Sequence, residues 1–220
     1  MLITAIPKSA STSFFSIVKV LLIKTGRNRA CGRLRLQDQF LHIVDDTILN
    51  KDDYFWKRNI PEDYSYIHYL HNDVRELKKE DIVEVSKQSN LYKQHIPPTV
   101  NNKLLLQNVK NIILLRNPED ILLAYRRAFL LDKINKHYMK DFIGIDNDKD
   151  WIEKSKELGI LDDLLLFYDG WKDFKGDNVL LFHFSDIVNN IIDCLNDVSK
   201  FFNLNLTVEE AELPKILYTR

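Results

Sequence analysis

Residues 1–14 read MLITAIPKSASTSF, and this stretch decides the fold. Leu2 to Ile6 is a short apolar run. Pro7-Lys8-Ser9-Ala10-Ser11-Thr12-Ser13 follows with no spacer, and Phe14, Phe15, Ile17, Val18, Val20, Leu21 and Leu22 then recur at helical spacing. The order predicts a strand, a tight hydroxyl-rich loop and a helix N-terminus. A helix start exposes backbone N–H groups that lack intrahelical acceptors and carries the positive end of the dipole. Lys8 adds a full charge, and the Ser9, Ser11, Thr12 and Ser13 hydroxyls add donors. Such an assembly suits a phosphate or sulfate group. The loop is not G-x-x-x-x-G-K-[ST]. Its lysine stands at the start rather than beside the helix, which disfavours ATP hydrolysis. The plainer reading of the same residues is a Ser/Thr-rich helix cap with a solvated lysine.

Two further segments repeat the pattern. Val109 to Arg116, within NVKNIILLRNP, is a strand-length apolar run ended by Asn-Pro, and its continuous apolar character fits a strand buried on both faces. Pro118 then opens a helix through Ile121, Leu122, Tyr125 and Phe129, with proline at a favoured first-turn position. Val179 to Phe184 is a third strand candidate. Ser185 or Asp186 is placed to cap the next helix, whose apolar stripe is Ile187, Ile191, Ile192, Leu195 and Val198. Between these, Glu76 to Ser86, Trp151 to Leu158 and Leu161 to Trp171 read as helices. Tyr66 to Leu70 and Leu91 to His95 read as short strands or their ends, and Gly26 to Asp63 carries mixed signals. Strand-loop-helix occurring three times predicts an α/β fold, a central parallel sheet with helices on both faces. Ligands in such sheets sit at the carboxyl ends of the strands, which puts the loops after Ile6, Leu115 and Phe184 on one edge.

The 220 residues suit a single domain spanning 1–220, without internal repeats. A formal net charge of −1 argues against bulk nucleic-acid binding while leaving room for a local basic pocket. The two cysteines, Cys31 and Cys194, form no metal-type spacing, so no metal site is expected and a reduced, cytoplasmic setting is the simplest reading. The apolar run from Phe14 to Ile23 is short and interrupted by Lys19, so neither a signal peptide nor a membrane span is expected.

IPKSASTSF resembles the 5′-phosphosulfate loop, usually written PKSGTTW, of sulfotransferases that use 3′-phosphoadenosine 5′-phosphosulfate (PAPS). NIILLRNPEDILLAYRR resembles their 3′-phosphate segment, and NVLLFHFSDIVNN is similar to their third segment, usually a strand ending in Tyr-Glu-Asp-Leu. Lys93-Gln94-His95 with Ile96-Pro97 is similar to the Lys-Thr-His-Leu-Pro run of the cytosolic branch. The four segments keep the family's order and span Ile6 to about Phe202. The resemblance implies a P-loop-like fold with PAPS as co-substrate, no metal, and an acceptor carrying a hydroxyl group, with carbohydrate as a guess.

The resemblance also implies roles. Lys8 stabilises the leaving phosphate, and Ser9, Ala10, Ser11, Thr12 and Ser13 cradle it. Arg116 holds the 3′-phosphate, suiting a bidentate guanidinium fork. His95 is the general base, since an imidazole of unperturbed pKa near ~6.5 accepts a proton at neutral pH. Lys93 is either an aid at the acceptor side or a solvated lysine. Trp171 matches a tryptophan of the family and reads as core packing. Among the other histidines, His68 and His71 could face one another, and His183 could lie near the nucleotide.

Several positions depart from the pattern. Ala124 stands eight residues after Arg116, where the family has a serine donor; Arg126 and Arg127 are candidates to compensate. Ser13 replaces a tryptophan that commonly contacts adenine, and Phe184 replaces a tyrosine, leaving Phe14 or Phe184 to offer an aromatic face. The late Arg-Lys-Gly segment, which also holds the 3′-phosphate, is not found, and Lys215 or Arg220 could substitute. These departures keep one alternative in play, a catalytically impaired nucleotide-binding or interaction module of the same fold; the other, a P-loop small-molecule kinase, is opposed by the missing Walker lysine and by the lack of an obvious Mg²⁺-binding Asp after a strand. Tyr54, Phe55 and Trp56 could be core or acceptor pocket.

Overall fold

The structure is a computed structural model that describes residues 1–25, 30–32, 65–70, 73–77, 79–86, 90–131, 136–205 and 207. Tyr54, Phe55, Trp56, His71, Lys215 and Arg220 lie outside the described residues, as do the side chains of Cys31 and His68. In chain order the elements are β1 (Leu2–Ala5), α1 (Ser11–Lys24), β2 (Ala30–Gly32), β3 (Tyr66–Leu70), β4 (Asp73–Glu76) and α2 (Lys79–Ser86). They continue with β5 (Asn90–Gln94), α3 (Val100–Leu106), β6 (Asn111–Leu115) and α4 (Pro118–Leu130). After a 3-10 turn at Lys136–Phe142 come α5 (Asp148–Glu157), α6 (Ile160–Lys172), β7 (Val179–His183), α7 (Phe184–Asn189) and α8 (Ile191–Phe201).

Among the described residues, five strands form one parallel sheet in the order β2-β5-β1-β6-β7, and β3 and β4 make a separate antiparallel pair. The expected α/β fold, a parallel sheet flanked by helices, is what forms. Both faces of the sheet are covered, which is why β1 and β6 are buried at every position. Leu2, Tyr92, Ile113 and Leu115 point to a core shared with Tyr125 and Phe129 of α4, Trp151 of α5 and Trp171 of α6. The intervening Ile3, Ala5, Leu91, Ile112 and Leu114 point to the opposite core, with Phe14, Val18 and Leu21 of α1 and Leu195 and Val198 of α8. The period-2 alternation of a strand sorts one sequence run into two cores.

The sheet order also creates the crevice. The chain leaves β1 towards β2 at one edge, and it leaves β6 towards β7 at the other, although β1 and β6 are neighbours. The two connections diverge, so their first loops open a gap at the carboxyl ends of the strands. Register aligns Ala5 with Leu114 and Leu115 with His183, which brings the loops after β1, β6 and β7 to one rim.

Three expectations are corrected. Glu76 belongs to β4, paired with Tyr66, and the helix starts only at Lys79; pairing with the neighbouring strand β3 outweighed the helical preference of the acidic-rich run. The helix after β7 is not capped by Ser185 or Asp186 but begins at Phe184, with His183 as the N-cap. Asp186 instead accepts the His183 N–H at 2.8 Å from the third helical position, the reciprocal half of a capping box. Asn190 then divides the expected single apolar stripe into α7 and α8.

Candidate active site

The loop after β1 is wound tightly. Lys8 and Ala10 both have left-handed backbone conformations, φ 62° and 60°. For residues with a Cβ this costs about 1–2 kcal/mol each, so the surroundings must hold the loop in shape. Ser9 does so: it is fully buried, and its hydroxyl donates to the Ile6 carbonyl at 2.6 Å. Its hydroxyl, expected among the donors offered to an anion, is therefore turned inward as a brace. Ala10 caps α1 through its backbone, with no side-chain cap hydrogen bond among the described residues. The N–H groups there keep the polarity that favours an anion. Ser11 is buried, whereas Thr12 and Ser13 are exposed.

Arg116 leaves the end of β6 and turns back onto this loop. Its Nη1 donates to the Lys8 carbonyl at 2.7 Å, and its guanidinium lies 4.0 Å from the centroid of the Phe184 ring. Its Nε is buried and has no hydrogen-bond partner among the described residues. Burial lowers the Arg116 pKa, Asp120 raises it and Arg127 lowers it. The next two residues are structural. Asn117 caps α4 by accepting from the Glu119 and Asp120 N–H groups, and Pro118 fills the first turn, where a missing N–H costs nothing. The Arg-Asn-Pro run thus divides into one residue for the rim and two that start the helix.

Lys8 is half-buried, with its Nζ 5.4 Å from the ring centroid of Tyr125. The π-face of a buried tyrosine attracts a cation. Burial pushes the Tyr125 phenol well above its usual range, so the ring stays neutral. On the other side of the loop, Lys93 from β5 is 8% exposed and donates from Nζ to Thr12 Oγ1 at 2.9 Å. That burial excludes the solvated reading of Lys93 and adds a second ammonium to the loop.

His95 follows directly in sequence after β5. Its Nδ1 is 2.7 Å from the Ala5 carbonyl, which can only accept, so Nδ1 carries the proton. The lone pair of the neutral ring then sits on Nε2. The segment beyond is fixed from α6. Trp171, fully buried, donates from Nε1 to the Ile96 carbonyl at 2.9 Å. Gly170 lets Pro98 approach so closely that a Cβ would meet the proline Cγ at 2.3 Å. The tryptophan read as core packing also positions the strand end that carries His95.

Lys8, the 9–13 turn, Lys93, His95, Arg116 and Phe184 are thus gathered at the crevice between β1 and its neighbours. Ala124 is half-buried on α4. Other expected residues go elsewhere. Phe14 is fully buried and packs edge-on against Phe182 at 5.7 Å, so it offers no face to a ligand. Arg126 is committed to α5: Nη1 pairs with Asp148 at 2.7 Å and Nη2 donates to the Asp146 carbonyl. His183, by contrast, ends β7 at the rim in register with Leu115, and its ring lies 6.1 Å from that of Tyr168. Sequence reasoning missed Tyr125 and the consequence of Ala10. The PKSGTTW pattern has glycine where this chain has Ala10, and that substitution was the available signal for a positive φ.

The sequence profile of the Sulfotransferase domain matches residues 1–218, and the chain belongs to that family. No curated protein matches the sequence significantly. Among solved structures, a retinol dehydratase in a complex with retinol and PAP, the desulfonated nucleotide, is similar at 16% identity with a TM-score of 0.50. The match covers 98% of this chain and 62% of that one. Mouse sulfotransferase SULT7A1 complexed with PAP aligns at 15% identity and TM-score 0.49, over 99% of this chain and 62% of the other. A sulfotransferase from Alicyclobacillus acidocaldarius aligns at 11% identity and TM-score 0.48, over 98% and 88%. This chain therefore spans 62% of the length of the first two.

Proposed function

We propose that this protein transfers a sulfuryl group from PAPS to an acceptor hydroxyl. The observation that carries the reading is the contact of the Arg116 guanidinium with the Lys8 loop, with Lys93 and His95 on the same rim. Family membership supports it, and PAP, which the retinol dehydratase and mouse structures contain, is the nucleotide we assign to the crevice.

The chemistry follows from the residues. The acceptor oxygen attacks sulfur while the bond from sulfur to the 5′-phosphate oxygen breaks. Negative charge then grows on that oxygen and spreads over the peripheral oxygens, so catalysis is mainly positioning and electrostatics. Lys8 neutralises the leaving oxygen, with Lys93 as a second nearby cation, and the N–H groups at the start of α1 hold the 5′-phosphate. Arg116 holds the 3′-phosphate with the N–H groups not used on Lys8. His95, set by the Ala5 carbonyl as the Nδ1–H tautomer, takes the acceptor proton on Nε2. The resulting imidazolium keeps its bond to Ala5. A hydroxyl is the acceptor class this base serves.

Calorimetry with PAP tests the reading: micromolar to sub-millimolar binding is expected, and no binding by folded protein at millimolar nucleotide refutes it. Stabilisation by magnesium ATP in place of PAP would point to a kinase. PAP binding with no transfer to any hydroxyl acceptor would point to an impaired module. Lys8→Ala is expected to cut turnover by about 10²-fold or more, as loss of a charge-stabilising group does.

A further inference from the structure

We propose that Arg127 is a second ligand of the nucleotide 3′-phosphate, acting beside Arg116 where this chain lacks the family's serine at position 124. The inference rests on the PAPS reading above and names the residue that restores the lost contact.

Helical geometry places it. Asp120, Ala124 and Arg127 stand at i, i+4 and i+7 on α4 and so share one stripe, displaced from the buried face carried by Ile121, Leu122, Tyr125 and Phe129. Side chains on a helix lean towards its N-terminus. A long side chain at 127 therefore runs back over position 124, towards the end of β6 where Arg116 emerges. The methyl of Ala124 leaves that path open, whereas its neighbours Leu123 and Tyr125 project to either side. Of the two arginines considered as replacements, Arg126 is tied to Asp148 and Asp146. Arg127 is exposed and makes no side-chain hydrogen bond or ion pair among the described residues.

Charge supports the placement. Arg116 feels Arg127 as a like charge that lowers its pKa, after burial, the larger cause, and against Asp120, which raises it. Two guanidiniums held within electrostatic reach of one another repel unless an anion lies between them, and a phosphate dianion accepts from both. The Arg116 Nε, buried without a partner among the described residues, is a further donor at this spot. Asp120 opposes the anion, so the subsite keeps a net positive charge only because Arg127 is present beside Arg116.

The test compares PAP with adenosine 5′-phosphate, which lacks the 3′-phosphate, by calorimetry on the full chain. Wild type is expected to bind PAP more tightly. Arg127→Ala should weaken PAP by about tenfold, the usual cost of one charged hydrogen-bond donor, and leave adenosine 5′-phosphate unchanged. Arg127→Lys should recover part of the loss, and Asp120→Asn should tighten PAP alone. Equal PAP affinity in wild type and Arg127→Ala overturns the inference while the PAPS reading stands. An equal loss for both nucleotides overturns it as well, because the residue would then act on the fold or the adenine. Failure of wild type to bind PAP overturns both.

Discussion

Arg116 Nη1 donates to the carbonyl oxygen of Lys8 over 2.7 Å, so the end of β6 and the loop after β1 are joined by a hydrogen bond 108 residues apart in sequence. The bond fixes the guanidinium as much as the loop. Arg116→Lys keeps the charge but loses the fork. It is expected to weaken PAP by about tenfold or more, since an ammonium cannot serve the Lys8 carbonyl and a phosphate in one plane. Titration calorimetry reads this directly; unchanged affinity would show that the arginine serves the loop alone.

His95→Ala removes the proposed base without touching the loop. Turnover should fall by about 10²–10⁴-fold, with PAP affinity within about twofold of wild type. Labelled sulfate transfer from PAPS to a panel of hydroxyl acceptors measures the first, calorimetry the second. A large loss of nucleotide affinity would instead make the bond to Ala5 a structural tie.

Ala10→Gly should stabilise the protein. Removing the Cβ from a residue at φ 60° relieves about 1–2 kcal/mol of strain, partly offset by the greater freedom of glycine in the unfolded chain. The net gain is about 0.5–1 kcal/mol, a Tm rise of roughly 1–4 °C for a chain of this size. Thermal unfolding followed by circular dichroism tests it, and a lower Tm would contradict the strain argument.

Gly170→Ala should destabilise the fold by about 1–3 kcal/mol, because the new Cβ meets Pro98 and a proline ring cannot turn aside. Pro98 lies three residues beyond His95, so nucleotide binding should survive better than turnover does. Urea denaturation gives the first quantity and the two assays above the second.

Cys194 is buried, and burial, the leading cause, pushes its thiol up to about 11. At pH 8 its thiolate is scarce, so alkylation by iodoacetamide should be far slower in folded than in unfolded protein, read at this residue by peptide mass spectrometry. The folded pKa lies above the ordinary value of 9.0, so the contribution to stability is intact below about pH 9 and lost as pH rises towards 11. Rapid labelling of the native protein would show that α8 opens.

Local chemistry explains what could be read from the chain. The apolar runs beginning at Leu2, Val109 and Val179 became the strands Leu2–Ala5, Asn111–Leu115 and Val179–His183; the first two are buried on both faces, whereas the third lies at the sheet edge and is only partly buried. The loop between β1 and α1 and the Pro118 start depend on neighbours in sequence and were legible for that reason. Glu76 and Phe14 were not, since the first follows a partner strand and the second a buried contact with Phe182.

Sequence alone determined the class of fold and the order of its strand-loop-helix units, since periodicity and turn chemistry act within a few residues. Only the tertiary structure decided which polar groups serve the rim. It turned the Ser9 hydroxyl inward, took Arg126 to Asp148, buried Lys93 against Thr12 and chose the His95 tautomer through Ala5. Each of those outcomes is a competition among hydrogen-bond partners, and which partners compete is settled by sheet order, where β1 lies between β5 and β6.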